Sequence, residues 1–485
     1  MYFNSPVFLY VFLTAVLLIY HGVPAILKLK DRARSQFTNP FLFLASLFFY
    51  AWGELGYVIV LFASLAVNYG FARAAGWLQA RDRSTRPLAI LAVSSNLALL
   101  IWFKYIGFLA AILSENFEVP QAFEPVDHLP IGISFFTFQA ISYILDVCRK
   151  EVPVERSFLK FGVYVFLFPH LIAGPIVRYR DIAEQLTLRP VGVVRFAEGV
   201  RRLGIGLAKK LLLADTFAEA ADAAFGSKGM AVSAETLTMA AAWLGILCYS
   251  LQIYFDFSGY SDMAIGLGKM FGFDFLENFR YPYIAQSITE FWRRWHISLS
   301  SWFRDYVYVP LGGNRDGPWR TYRNLLIVFI LCGLWHGANW TFLLWGLYHG
   351  VFLIVERLGV GRALAWLPRP VRHSYALLAV AGGWVFFRAN DMGHAAGIFR
   401  ALGRSDGGTQ EFADVWNPKL AFALPLGLLS CLPIIPAARR ILENRGELTR
   451  GIVGALGTLG IAACYLGASM QLAAKTYSPF IYFRF

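Results

Sequence analysis

His296 and His336 are the residues whose type and setting most directly suggest chemistry. His296 lies in Trp292-Arg293-Arg294-Trp295-His296-Ile297-Ser298, and His336 in Leu334-Trp335-His336-Gly337-Ala338-Asn339, inside an apolar run over residues 325–355. A charged side chain at membrane depth costs roughly 2.5–3.5 kcal/mol on insertion scales, so it is usually retained for function. Imidazole is also the side chain best suited to move a proton near neutral pH. The first expectation is therefore proton-transfer chemistry inside a membrane. As a general base, His336 would take a proton from a hydroxyl as that hydroxyl attacks an acyl carbonyl. Its other reading is a satisfied core histidine. Gly337 leaves room for a ligand or helix to approach, and Asn339 and Trp340 are placed to orient the ring. His296 reads as a second acid or base, a donor contact, or an interfacial histidine solvated by headgroups. His170 and His349 read as core histidines.

Asp256 and Asp262 flank Phe257-Ser258-Gly259-Tyr260-Ser261. They are expected to pair with Arg293, Arg294 or Arg304 in a structural ion network, with a proton relay as the sharper alternative. The chain ends in Ser478-Pro479-Phe480-Ile481-Tyr482-Phe483-Arg484-Phe485. This reads as an interfacial anchor or as a tail whose Tyr482 phenol accepts an acyl group.

The elements that must position these groups belong to a membrane protein. Of 485 residues, 57% are hydrophobic and only 15% charged, against about 25% charged in a soluble domain. Several apolar runs reach the ~20 residues a spanning helix needs. The formal charge of +13 gathers in short loops between those runs. That is the positive-inside pattern, and it implies anionic lipid rather than nucleic acid. No RNA- or DNA-binding module is visible. The five cysteines, Cys148, Cys248, Cys332, Cys431 and Cys464, form no CxxC pair, so zinc sites and a disulfide framework are not expected. No Walker A, Rossmann or HExxH motif is present. Gly312-Gly313-Asn314-Arg315 reads as a turn.

The run over residues 7–27 reads as a retained first span, with the N-terminus outside and basic loops inside. Spans are expected near residues 39–53, 55–72, 88–113, 129–147, 234–255, 324–342, 343–357, 374–388, 419–436 and 451–473. Residues 158–177, interrupted by Pro169 and Gly174, suggest a re-entrant segment. Residues 193–213 suggest a surface-lying amphipathic helix. In residues 288–305, Trp292, Trp295, Leu299 and Trp302 form one stripe, which predicts a tryptophan-rich helix in the membrane interface. Residues 389–418 read as a loop.

The motif from Leu276 to Ser300, with Trp302-Phe303-Arg304-Asp305-Tyr306 and Leu334-Trp335-His336-Gly337, resembles the membrane-bound O-acyltransferase (MBOAT) family. Within it the chain resembles the branch holding bacterial alginate O-acetylation membrane subunits. Leu129-Pro130-Ile131-Gly132, Phe168-Pro169-His170 and the Asp256–Asp262 motif belong to the same branch. The resemblance implies one all-α polytopic domain over 1–485, with a motif-bearing core at about 120–357 and an extracytoplasmic tail at 478–485. It implies a bowl of roughly 11 transmembrane helices, with re-entrant and interfacial pieces, around a tunnel open to the cytoplasm and the outside. His336 would be the catalytic histidine, His296 the second, and Tyr482 the carrier of the acyl group. Asn278, Arg293, Arg294, Trp295, Asp305, Asn339, Asp256, Ser258 and Asp262 would bind donor or support the site. The implied reaction moves acetyl from a cytoplasmic thioester, acetyl-CoA, to a periplasmic partner transferase and an exopolysaccharide such as alginate or cellulose. No metal or tightly bound cofactor is implied. The rival readings are an MBOAT moving another acyl group such as D-alanine, and a proton-coupled transporter. Multi-pass insertion in a bacterial inner membrane, both termini outside, completes the expectation.

Overall fold

The computed structural model describes residues 3–114, 129–227, 230–231, 236–404, 408–474 and 480. Tyr482 therefore lies outside the described residues. Helices dominate, and the short strands Gly226–Ser227 and Met230–Ala231 pair antiparallel. Among the described residues, six helical stretches are long and apolar enough to cross a membrane: Val7–Ile26, Asp31–Gln79, Arg86–Ser114, Met239–Met270, Trp340–Trp366 and Glu447–Ala474. A seventh forms if Leu420–Ser430 and Ile434–Glu443, bent by 58° at their junction, count as one span. The chain is thus a nearly all-helical, multi-pass membrane protein.

The chain divides into two compact units, residues 1–203 with 260–276, and residues 204–259 with 277–485. In the first, the long stretch Asp31–Gln79 breaks at Leu55–Tyr57, where the spans expected near residues 39–53 and 55–72 meet. Asn68 and Asn96 each donate an amide N–H to the other's carbonyl, at 3.1 and 2.7 Å. This reciprocal pair joins two helices through buried amides, a common use of such side chains between membrane helices. The interrupted segment at residues 158–177 resolves as Phe158–Phe166 and Phe168–Leu171. At the break the Phe168 N–H finds Ser46 Oγ at 3.1 Å, so the freed backbone group stays satisfied inside protein. His170 is fully buried there and takes a hydrogen bond from Gln139 Nε2 at 3.0 Å, matching its core reading.

Three expectations change. The span near residues 234–255 continues to Met270 as one 32-residue helix. The residues beyond the expected span are small and polar, and they pack inward: Asp256, Ser258, Ser261 and Asp262 are all buried. Residues 389–418 are not wholly loop, because they hold the helix Met392–Gly403, capped by Asp391 accepting from the His394 N–H at 2.8 Å. The amphipathic helix ends at Ala208, and the wide turn Lys209–Ala214 carries Lys210 into the interior. A lysine among apolar residues has the same pattern whether it snorkels outward or meets buried carboxylates.

Candidate active site

Both motif histidines belong to the second unit, and each stands at a helix end. His336 closes the helix Pro318–His336, which pairs with Trp340–Val355 as a tight hairpin. A Cβ at Gly333 would strike the Phe342 carbonyl, and one at Gly346 the Phe329 carbonyl. Only glycine permits this backbone contact, which fixes the height of His336 against the second helix. At Gly337 a Cβ would enter the Phe342 ring.

His296 stands at a break that its sequence pattern hides. The expected single interfacial helix is two, Ile288–Arg294 and Ile297–Phe303. Between them His296 adopts a left-handed backbone, φ 46°, a region where histidine is enriched among non-glycine residues. The stripe faces protein rather than lipid headgroups, since Trp292, Trp295, Leu299 and Trp302 are all buried. Periodicity reports an apolar face without saying what covers it. Trp295 is boxed by Phe279 at 5.0 Å, Phe291 at 5.5 Å and Trp384 at 5.0 Å. The start of the first short helix is pinned by the buried Glu356 carboxylate, which accepts from the Ile288 N–H at 2.6 Å and the Thr289 N–H at 3.0 Å. A carboxylate at a helix N-terminus is favoured by the dipole and by unpaired N–H groups.

The two imidazoles come together with ring centroids 6.4 Å apart. Asn278 holds His296: its Oδ1 lies 3.2 Å from the ring Nδ1 and also accepts from the Ser298 N–H and hydroxyl at 3.2 and 2.9 Å. Phe257 meets the His296 ring at 4.6 Å. His336 lies among Trp335, Trp345 and Phe387, at 4.9, 4.9 and 5.2 Å. Both histidines are buried. Two proton-carrying rings in an aromatic, water-poor setting suit acid–base chemistry, because electrostatic interactions there are little screened.

Other candidates fall elsewhere. Asn339 caps the helix Trp340–Val355, accepting from the Thr341 N–H at 3.0 Å, and its amide donates to the Asn390 carbonyl at 3.1 Å. Trp340 is 51% exposed. Asn339 thus caps the hairpin turn that follows His336, and Trp340 flanks it. Asp256 pairs with Lys210 at 2.6 Å. Asp262, in the first unit, pairs with Arg202 at 2.7 Å. The expected partner arginines are engaged otherwise: Arg294 with Glu290 at 2.8 Å, Arg304 with its neighbour Asp305 at 2.7 Å, while Arg293 is exposed. Ser258 is buried, and its hydroxyl has no hydrogen-bond partner among the described residues. Gly312–Arg315 is a turn, with Asn324 Nδ2 donating to the Leu311 and Gly313 carbonyls. Among the described residues no group of three or more His, Cys, Asp or Glu is arranged to hold a metal.

Sequence reasoning passed over Trp345, Phe387, Lys210 and, in part, His349. Trp345 and Phe387 carry no motif of their own, and only the fold brings them to His336. His349 is fully buried, with Trp292 at 5.2 Å and Trp345 at 5.3 Å, and neither ring nitrogen has a partner among the described residues. Its signal was available: it lies one turn from Trp345 in the hairpin helix that follows His336.

A profile of the membrane-bound O-acyltransferase family matches residues 147–386. A probable alginate O-acetylase of Azotobacter vinelandii is 39% identical, with all of both chains covered. One of Pseudomonas aeruginosa is 45% identical over 83% of this chain and 75% of its own length. A peptidoglycan O-acetyltransferase of Helicobacter pylori is 35% identical over 82% of this chain and 79% of its own.

Proposed function

Because the chain belongs to the membrane-bound O-acyltransferase family, and is an O-acyltransferase on that ground, we propose that it acetylates an exopolysaccharide or cell-surface polysaccharide, taking acetyl from a cytoplasmic thioester. The names of its similar relatives favour acetyl over D-alanine and a polysaccharide as final acceptor. Acetyl-CoA is the proposed donor. Its charged carrier cannot cross lipid, whereas an acetyl group passed through the protein can.

The observation that carries this reading is the meeting of His296 and His336, 6.4 Å apart and both buried. In the proposed step the acceptor hydroxyl attacks the thioester carbonyl as His336 takes its proton. The C–S bond breaks, the ester forms, and the thiolate leaves and recovers a proton. His296, held by Asn278, orients or polarises the reacting groups. The acceptor is the Tyr482 phenol or a hydroxyl of an extracytoplasmic partner transferase, which completes delivery to an alginate- or cellulose-like polymer. This arrangement requires the bacterial inner membrane, with both termini on the extracytoplasmic face.

The test uses the purified protein in nanodiscs with radiolabelled acetyl-CoA, following label by intact and peptide mass spectrometry. Wild type is expected to consume donor and carry acetyl on Tyr482. His336→Ala is expected to lose roughly 10²–10⁴ in rate, the range for a general base, and Tyr482→Phe to lose the protein-bound label. Release that depends on His336 but not on Tyr482 would keep the transferase and discard the tail as carrier. No donor consumption with an acceptor present would reject acetyl-CoA.

A further inference from the structure

Within the second unit lies a charge cluster outside the two-histidine site. Lys210 places its ammonium 2.6 Å from Asp256 and 2.9 Å from Asp215, and all three side chains are buried. A lysine in such a place needs carboxylate partners, since an isolated buried ammonium is prohibitively costly. Two carboxylates are more than pairing alone demands.

The third neighbour is the tail. Phe480, the one described residue of the last eleven, is 1% exposed, and its ring centre lies 4.9 Å from Lys210 Nζ. A phenyl face over an ammonium within about 6 Å is an attractive geometry, and more so when both groups are out of water. Asp256 and Phe257 are consecutive on the helix Met239–Met270. The Asp256 carboxylate binds Lys210, and the Phe257 ring rests on His296 at 4.6 Å. One helical turn therefore touches both the charge cluster beneath Phe480 and the imidazole beside His336.

We propose that Lys210, held as a cation by Asp215 and Asp256, is a clamp for the C-terminal tail, with Phe480 as the anchored side chain. Tyr482 follows Phe480 by two residues. The clamp rests on the reading of Tyr482 as the acyl carrier in one respect only: it gives the tail a fixed anchor from which that phenol is presented. Lys210, Asp215, Asp256 and Phe480 are positioning residues and take no part in bond making. The two carboxylates keep the ammonium charged, and its charge is what distinguishes an aromatic anchor from any other apolar one.

The experiment reads the tail directly. Hydrogen–deuterium exchange of residues 475–485 is measured on the full chain in nanodiscs, alongside acetyl label on Tyr482. Phe480→Leu keeps apolar bulk but removes the π face. It is expected to speed tail exchange about tenfold, the order lost with a desolvated cation–π contact, and to lower Tyr482 labelling. Phe480→Trp is expected to hold the protection. Lys210→Met, which removes the cation, is expected to lose the protection, and Lys210→Arg, which keeps it and remains readable if Lys210→Met does not fold, to hold it. Wild-type exchange in Phe480→Leu would overturn the clamp, even with Tyr482 still labelled. Lost protection together with an unlabelled wild-type Tyr482 would support the clamp and reject the carrier.

Discussion

The helices Glu447–Ala474 and Met239–Met270 are both long enough to span a membrane, yet they are built in opposite ways. Glu447–Ala474 is the more apolar of the two, and only 6% of its most apolar window is buried within the protein; for Met239–Met270 the share is 78%. The buried helix carries Gln252, Asp256, Ser258 and Asp262. The exposed one presents Leu456, Leu459 and Leu466 outward. In water the relation runs the other way, with apolar residues inside. In lipid, hydropathy marks what faces the bilayer, and polar residues mark what faces protein or substrate. The less hydrophobic of the two is the one that reaches His296, through Phe257.

That contrast can be broken by substitution. Asp256→Ala removes one of the two carboxylates from a buried ammonium, leaving Asp215, and is expected to cost about 1.5–3 kcal/mol, read as a lowered unfolding midpoint in detergent. A midpoint within experimental error of wild type would show that the interior of the second unit is wetter than its packing implies. Asn278→Ala strips His296 of its anchor and leaves the Ser298 hydroxyl and N–H without their acceptor. Losing such a buried acceptor costs about 1–3 kcal/mol; acetyl transfer is expected to fall roughly ten- to a hundredfold while the folded protein is still recovered. Leu459→Ala, on the exposed helix at 66% exposure, is expected to shift stability by less than about 0.5 kcal/mol. A larger shift would mean that Glu447–Ala474 packs on something besides lipid, such as a partner protein.

The membrane class and many spans were legible from apolar runs, because a bilayer imposes their length and hydropathy. The first span, expected at residues 7–27, is Val7–Ile26. His336 stood out because ionisable groups are rare in apolar runs, and His296 because of the tryptophan- and arginine-rich motif around it. The break at His296 was not, since no proline or glycine marks it, and a left-handed histidine is stabilised by its surroundings rather than by local propensity. The span expected near residues 234–255 stopped short of Met270 because the apolar run ends where the buried carboxylates begin. The partners of Asp256 and Asp262 were misassigned for a related reason: spacing along the chain ranks cations by proximity, and Lys210 and Arg202 arrive only through tertiary packing. Trp345 and Phe387 became site residues in the same way, because what surrounds His336 is decided by the Gly333–Gly346 contact and the turn of the hairpin.

The central claim is that His296 and His336 serve one reaction, and a double-mutant cycle in single-turnover acetyl transfer tests it most directly. Rates are measured for wild type, His296→Ala, His336→Ala and the double variant, at matched amounts of folded protein. Groups that act as a unit are strongly non-additive. The double variant is expected to transfer acetyl no more slowly than His336→Ala alone. Losses that simply multiply, with His296→Ala and His336→Ala acting independently, would contradict a shared site and leave His296 as a structural hinge.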